Sequence, residues 1–449
     1  MNTSNRAKKV AVVGAGISGL VAGYELQKQG FEVTVFEKED EVAGRMFSKI
    51  SGNLIFDAGA DFFNSPYTTL QRLAGELGVP WEETEEGSTH KIIRNNKAYN
   101  LDLASPIGIL RLNILSFKSR VAFLFWLLRI KMMKTKLDFF HLSTIPNKYN
   151  LRSTKELLEK SGLSEVMNYI ADPFTSLMQF HRTNEMSEAS FFSLIQLMLS
   201  INGFRVCYTK GGINSIPLKL ANKLKVKNSC LVQRIENSEL GVTVTHNQGK
   251  EVFDSVVVAT TGNVASELLS AAVVNKNRNE IFDSLHYSTT ITVSILLPKE
   301  AVKDSTYLCY VPFVENQIIA GLANEIRKDV QMTESGMSLI NVYLHESSAS
   351  GMIHLTDGEI FEIIKRELIS CCKNILTVDI DMKLNAIKRW KFAMPKFTSV
   401  LIDKVRNFEA EGQGQDNIYL AGDYMASPWA EGAARSGERV AKLISEKFT

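Results

Sequence analysis

The sequence predicts an α/β protein with two domains, each assembled from segments that are separate along the chain. Three observations predict this: a strand–turn–helix–strand unit near the N-terminus, a strand–turn–helix unit near the C-terminus, and intervening segments that differ in helical and strand pattern. The length of 449 residues is typical of two or three domains. We expect residues 1–80, 205–283 and 389–449 to form one domain, and residues 81–204 and 284–388 to form the other.

The N-terminal unit begins with a short apolar run at residues 10–13, which is typical of a buried parallel strand. Gly14, Gly16 and Gly19 follow in the pattern G-x-G-x-x-G, on a turn that opens a helix. The first glycine permits a tight turn, the second lets the backbone approach a pyrophosphate, and the third lets helix and strand pack closely. Between two strands, this pattern indicates a Rossmann-type dinucleotide-binding site.

The start of this helix offers free N–H groups and the positive end of a helix dipole to a phosphate. Ala15, Ile17 and Ser18 are therefore candidate phosphate-binding residues. A second strand at residues 32–36 ends at Glu37, whose carboxylate can accept hydrogen bonds from both ribose hydroxyls. A carboxylate at this position would repel a ribose 2′-phosphate, so the pattern disfavours NADP.

The segments between the terminal units differ from one another in pattern. Residues 82–204 are largely helical by pattern, and Ser153 with Glu156 three positions later predicts a capped helix start. Residues 358–373 also have a helical pattern. The remaining strand predictions are at residues 230–235, 241–246, 255–260, 289–297 and 306–312.

Further motifs extend the N-terminal unit and close the chain. Residues 43–45 read AGR and residues 57–61 read DAGAD, while residues 418–441 read IYLAGDYMASPWAEGAARSGERVA. Together these resemble the flavin-containing amine oxidase superfamily, in which Gly-Gly-Arg is usual and Ala43 here replaces the first glycine. The resemblance implies a discontinuous, glutathione-reductase-like FAD-binding domain and an α+β substrate-binding domain with a largely helical insertion.

The resemblance also implies roles for single residues. Arg45 would pair with the FAD diphosphate, Asp423 would meet the ribityl–phosphate region, and Val232 would contact the adenine through strand backbone. The helix start at residues 431–434 would direct N–H groups at the flavin pyrimidine edge. The candidate FAD-binding residues are Gly14, Ala15, Gly16, Ile17, Ser18, Gly19, Glu37, Lys38, Gly44, Arg45, Gly59, Ala60, Asp61, Phe62, Val232, Gly422, Asp423, Glu431, Gly432, Ala433 and Ala434.

The predicted strand at residues 287–297 bears on the substrate class. Many amine oxidases of the superfamily carry a lysine there that bridges by water to flavin N5, whereas here Thr292 or a neighbour takes its position. Residues 389–395, RWKFAMP, resemble a motif of protoporphyrinogen oxidases, which share the fold with carotenoid-type desaturases. Trp390 in this motif, Trp429 before the last helix and Thr292 are the candidate pocket residues.

We therefore expect an FAD-dependent oxidoreductase that takes a hydride from a C–H next to a ring nitrogen or a conjugated carbon of an apolar small molecule. O2 or another acceptor would remove the electrons. The alternatives are protoporphyrinogen oxidase or isoprenoid desaturase proper, a true amine oxidase acting at C–N, and a non-catalytic carrier of the same fold. No cysteine follows Cys372, so the thioether link of some amine oxidases cannot form near the C-terminus and FAD is expected to be non-covalent. The histidine spacing predicts no metal site.

Composition restricts the partners and the compartment. The net charge is +2, with 51 basic and 49 acidic residues, so the balance does not indicate a nucleic-acid partner. The five cysteines show no C-x-x-C spacing, which indicates a reducing compartment. The chain enters its first predicted strand near residue 9, which leaves no room for a cleavable signal peptide. We expect a cytoplasmic protein.

Residues 106–137 carry seven basic residues and no acidic one. Their longest apolar run, at residues 121–128, is far shorter than the roughly 20 residues that span a bilayer. One interpretation is a peripheral contact with the inner face of a membrane, or a flank of an apolar substrate entrance. The other is a helix with one buried face and a solvated basic face.

Overall fold

The structure is a computed structural model that describes residues 7–84, 89–103, 105–200, 205–269, 275–303, 305–377 and 380–448. The strands are β1 Lys9–Val13, β2 Glu32–Phe36, β3 Ser48–Ser51, β4 Leu54–Asp57, β5 Phe63–Asn64, β6 Trp81–Glu83, β7 Thr89–Arg94, β8 Lys97–Asn100, β9 Val206–Thr209, β10 Lys225–Lys227, β11 Val232–Ser238, β12 Gly241–His246, β13 Gly249–Phe253, β14 Ser255–Val258, β15 Thr290–Pro298, β16 Thr306–Tyr310, β17 Ile319–Asn324, β18 Met337–Leu344, β19 Lys383–Trp390 and β20 Ile418–Leu420. The helices are α1 Ile17–Lys28, α2 Thr68–Leu77, α3 Pro106–Leu110, α4 Phe117–Lys131, α5 Thr154–Lys160, α6 Ser164–Val166, α7 Asp172–Met178, α8 Glu188–Met198, α9 Ser215–Ala221, α10 Gly262–Leu268, α11 Lys276–Ser284, α12 Glu346–Met352, α13 Asp357–Cys371, α14 Ser399–Glu411 and α15 Ala430–Phe448.

A five-stranded parallel sheet has the order β10-β2-β1-β14-β20. Its strands come from three separate parts of the chain, so pairing across the sheet assembles a discontinuous unit. The predicted strand–turn–helix–strand unit is confirmed by β1, α1 and β2. The apolar runs of β1 and β14 are buried because helix α1 and the antiparallel strands β12 and β13 pack against them.

Helices α1 and α15 pack against each other beside this sheet, although they lie at opposite ends of the chain. The contact is close at Gly437, where a Cβ would lie 2.2 Å from the carbonyl oxygen of Ser18. Only a glycine permits this approach, so Gly437 sets how the two helices meet. Gly437 falls within the C-terminal motif but was not among the predicted site residues.

The second large sheet is mixed and has the order β19-β15-β18-β17-β16-β7-β8. Strand β15 places Ile291, Val293 and Ile295 in the core shared with α13, and Thr292 therefore points to the opposite face because strand side chains alternate. Strand β19 runs through residue 389, where we predicted a domain boundary. The domain assignment stays a prediction.

Helices α3 to α8 lie between the two parts of the chain that supply β8 and β9. The capped helix start predicted at Ser153 and Glu156 is confirmed by a reciprocal capping box at the start of α5. Among the described residues, none of the helices combines the length and apolar character needed to cross a bilayer.

Candidate functional site

A cavity of about 740 Å³ opens where the parallel strands end. The last residues of β1 and β2 line it, as does the turn after β14, which is where ligands bind in open α/β sheets. The predicted residues that line it are Gly14, Gly16, Ile17, Ser18, Glu37, Lys38, Gly44, Arg45, Gly59, Ala60, Val232, Gly422, Asp423, Ala433, Trp390 and Trp429.

Two helix N-termini meet this cavity. Gly16 to Ser18 begin α1, and Ala430 and Ala433 lie in the first turn of α15. A Cβ added to Gly16 would have no atom within 4 Å, so the space beside its backbone is open to a ligand. The Ser18 hydroxyl has no hydrogen-bond partner among the described residues. Positive helix ends and an unpaired hydroxyl suit a phosphate.

Glu37 is held in place at the tip of β2. Its Oε2 accepts a hydrogen bond from the backbone N–H of Ala15 at 2.7 Å, and its Oε1 accepts one from that of Glu39 at 3.1 Å. The backbone N–H of Cys230 also binds the Glu37 carbonyl at 2.8 Å. These contacts orient the carboxylate at the cavity wall, where ribose hydroxyls would find an acceptor.

Arg45 and Asp423 form the charged pair in the cavity. Arg45 Nη1 lies 2.7 Å from Asp423 Oδ2, and Nη2 donates to Oδ1 at 2.9 Å. Burial opposes the arginine charge, but Asp423 outweighs it and raises the pKa of Arg45. The preceding Ala43 has φ 89°, a left-handed conformation that favours glycine, which explains why the superfamily usually has Gly-Gly-Arg here.

Both predicted tryptophans line the cavity, and each indole N–H donates a hydrogen bond to a backbone carbonyl. Trp390 Nε1 donates to the Ala58 carbonyl at 2.7 Å, and its ring lies against Gly59, where a Cβ would come within 3.2 Å. Trp429 Nε1 donates to the Met178 carbonyl at 3.3 Å. Its ring packs edge-to-face on Phe139 with centroids 4.7 Å apart. These contacts fix the positions of both indole rings at the cavity wall.

Several predicted residues lie outside the residues that line the cavity: Ala15, Gly19, Asp61, Phe62, Thr292, Glu431, Gly432 and Ala434. The Glu431 carboxylate does not face the cavity. It accepts hydrogen bonds from the N–H groups of Thr68, Thr69 and Leu70 and so caps the N-terminus of α2. Thr292 is buried on β15 and its hydroxyl has no hydrogen-bond partner among the described residues.

Sequence reasoning missed three features of this site. Phe180 lines the cavity with φ 59°, a strained conformation for a bulky residue that no local pattern signals. Lys388 also lines it, with its ammonium 5.0 Å from the centre of the Trp390 ring. Behind the segment at residues 57–61 lies a buried lysine, Lys328, which no motif marks.

Comparison with known proteins gives three kinds of match. The sequence model of the family described as "Flavin containing amine oxidoreductase" matches residues 17–445. Protoporphyrinogen oxidase 2 of Arabidopsis thaliana is 32% identical over 169 residues, which cover 37% of this chain and 32% of that protein. A putative flavin-containing monoamine oxidase of Mycobacterium tuberculosis is 28% identical over 265 residues, which cover 56% of each protein.

The structural match extends over nearly the whole chain. A triple mutant of putrescine oxidase superposes with a TM-score of 0.80 at 16% identity, covering 98% of this chain and 99% of the other. At this identity the likeness shows the fold, which confirms the predicted fold class. The aligned regions span less than two thirds of either curated relative's own length.

Proposed function

Because this chain belongs to the flavin-containing amine oxidoreductase family, we propose that it is an FAD-dependent oxidoreductase that acts on an apolar small molecule. The observation that carries the proposal is the cavity at the strand ends, which joins a helix N-terminus, a ribose-binding carboxylate and an arginine–aspartate pair. A carrier without a flavin would have no need of this combination.

The residues present fit an extended FAD. The start of α1 suits the pyrophosphate, Glu37 the adenosine ribose, and Arg45 with Asp423 the central phosphate and ribityl region. Cys230 is the one cysteine among the described lining residues, and burial raises the pKa of its thiol. Since the thiolate is the reactive form, a covalent link from this cysteine is disfavoured, which supports non-covalent FAD.

The apolar end of the cavity supports the substrate class. It is lined by Phe180, Trp390, Phe392, Met394 and Trp429, with Lys388 and Lys391 as the charged residues beside Trp390 in the chain. Bound FAD accepts a hydride equivalent from a C–H bond of the substrate. Thr292 on β15 is not a lysine and lies outside the lining residues, while its cross-strand partner Lys388 lines the cavity beside Trp390. From the Thr292 position and the Trp390 motif, we propose oxidation of a C–H next to a ring nitrogen or conjugated carbon rather than of a simple primary amine.

Purified protein should be yellow, and acid precipitation should release all flavin into the supernatant. Under anaerobic mixing with benzylamine, a cyclic imine and protoporphyrinogen IX, we expect one of the last two to bleach the flavin fastest. Recovery of colour on admitting air would identify O2 as an acceptor. Colourless protein would overturn the cofactor assignment, and fastest bleaching by benzylamine would favour a true amine oxidase.

We also propose that α3 and α4 rest on an anionic lipid surface. Ile107, Phe117, Phe125 and Met132 are 62%, 69%, 68% and 74% exposed, although α4 also buries Phe123 on its inner face. A helix that is apolar on both its inner and outer faces is not explained by core packing alone. The exposed basic residues beside them are Arg111, Lys118, Arg129, Lys131, Lys134 and Lys136. Apolar and basic side chains together are what an interfacial helix presents to lipid.

The protein should float with anionic liposomes at low ionic strength and be released by high salt. Replacing Arg129, Lys131, Lys134 and Lys136 by Gln should weaken binding on the order of several-hundred-fold, at about 1 kcal/mol per charge. A control with the same charge change elsewhere (Lys276, Arg366, Lys383 and Lys442 to Gln) should still float. Equal loss in both variants, or no flotation of the unmodified protein, would contradict a specific lipid surface.

A further inference from the structure

Two lysines differ in how their charges are compensated. The first belongs to a buried group of four charged residues, here called the Lys328 cluster: Asp57, Asp61, Glu325 and Lys328. The lysine Nζ lies 2.6 Å from Glu325 Oε2, 2.9 Å from Asp61 Oδ1 and 3.0 Å from Asp57 Oδ2. None of the four side chains is more than 5% exposed. Since an ammonium group has three N–H donors, this lysine is fully paired within the protein.

Lys388 is the opposite case. It is half-buried on β19, lines the cavity and lies opposite Thr292 of β15. Its ammonium is 4.5 Å from the centre of the Phe47 ring and 5.0 Å from that of the Trp390 ring. Aromatic faces attract a cation but carry no net charge that could neutralise it. Within the part of the chain that the structure describes, no carboxylate pairs with this ammonium.

The charged residues of the cavity wall are distributed unevenly. Outside the Arg45–Asp423 pair, the acidic residues among the described lining residues all lie in residues 37–41, directly after β2. Residues 388–394 instead contribute two lysines and no acidic residue to the lining: Lys388, Trp390, Lys391, Phe392, Ala393 and Met394. Charges of one sign in a cleft raise the local concentration of ligands of the opposite sign. This part of the wall therefore fits an apolar molecule that carries an anionic group.

Two anionic groups could meet Lys388, the diphosphate of FAD and a carboxylate of the substrate. The diphosphate already has partners in the proposed cofactor site, namely the start of α1 and Arg45. Lys388 instead belongs to the mixed sheet and lies beside the aromatic residues of the apolar end. A protonated amine would be repelled by this lysine, which agrees with the proposed preference for a C–H bond over a simple primary amine.

We propose that the substrate is an apolar carboxylate and that Lys388 determines this specificity by binding the carboxylate. This inference rests on the proposed function and names the substrate class more closely. The ammonium donates charge-assisted hydrogen bonds to the carboxylate oxygens, and the rings of Phe47 and Trp390 hold the lysine side chain at the wall. Lys391, which is exposed, adds positive charge beside it. The lysine takes no part in bond making or breaking.

Ligand binding to the FAD-loaded protein tests this specificity without any turnover. Titration calorimetry with benzoate and with benzamide compares two probes of nearly equal shape that differ in charge. We expect benzoate to bind more tightly, and Lys388→Met to raise its Kd about tenfold while the Kd of benzamide stays within about twofold. Lys388→Arg should retain most of the preference because it keeps the charge. Lys383→Met, which removes an exposed lysine of the same strand paired with Asp381, should bind both probes like the unmodified protein.

The possible failures are distinguishable. Absence of benzoate binding, equal Kd values for the two probes in the unmodified protein, or equal weakening of both in Lys388→Met would overturn carboxylate recognition. A folded but colourless Lys388→Met protein would assign the lysine to the FAD diphosphate and overturn its role toward the substrate. Unmodified protein that binds no flavin would overturn the proposed function, and the same titrations would still show whether Lys388 distinguishes the probes.

Discussion

Gly16→Val should give a folded protein that is almost colourless. Gly16 has φ −73° and ψ 171°, which any L-residue adopts, and its Cβ would meet no protein atom within 4 Å. The same open space is where the pyrophosphate must approach the start of α1, so the valine would exclude the cofactor rather than disturb the fold. Flavin absorbance per protein, with circular dichroism as a measure of folding, checks both parts.

Two other glycines make matched controls for this result. Gly75 lies in α2 with nothing within 4 Å of an added Cβ, so Gly75→Val should keep both fold and colour. At Gly19 a Cβ would lie 2.1 Å from the Gly14 carbonyl oxygen, so Gly19→Val should damage folding itself. A fully yellow Gly16→Val protein would contradict the assignment of this cavity to a dinucleotide.

Lys328→Met should lower the free energy of unfolding by about 3–5 kcal/mol at neutral pH, because removing one partner leaves buried carboxylates unpaired. The effect should be large because the lysine is wholly buried and contacts three carboxyl groups. Urea denaturation of the flavin-free protein, followed by circular dichroism, measures the change without any contribution from cofactor binding. A loss far below this range would contradict buried ion pairs between Lys328 and the carboxyl groups.

The loss should depend on pH in a defined direction. Without the lysine, the pKa values of Asp61 and Glu325 rise further, because the lysine lowers both in the intact protein. Above the ordinary glutamate pKa of about 4.3 the folded variant then binds more protons than the unfolded chain, so its stability falls as pH rises. Lys404→Met, which breaks the partly exposed ion pair with Glu280, should lower the free energy of unfolding far less and show no such trend, because solvent screens that pair.

Local sequence features were enough to predict the unit from β1 to β2 and the residues that begin the cavity. Glycine spacing, apolar runs and the terminal Glu37 are local features, and local conformation follows from neighbours only a few positions apart. The same reasoning located the capped start of α5 and the C-terminal motif that contributes Asp423. At these places the local conformational propensity, the sequence pattern and the observed fold agree.

Glu431 shows where local reasoning stops. Its motif places it at the start of a helix near the cofactor, yet its carboxylate caps α2, whose N-terminus lies more than 360 positions earlier in the chain. A carboxylate binds whichever donors the fold brings near, and the motif contains no information about α2. Phe180 is similar, because its left-handed backbone is imposed by packing around it rather than by its own preference.

The Lys328 cluster and the outward apolar face of α4 result from long-range packing that no local pattern predicts. Lys328 meets Asp57 and Asp61 across 271 and 267 positions, so no spacing rule can connect them. In the sequence this lysine is one of 51 basic residues and would be expected in water. Whether a charge is buried and paired, or an apolar side chain left exposed, depends on which distant elements pack over it, and that is a property of the assembled fold.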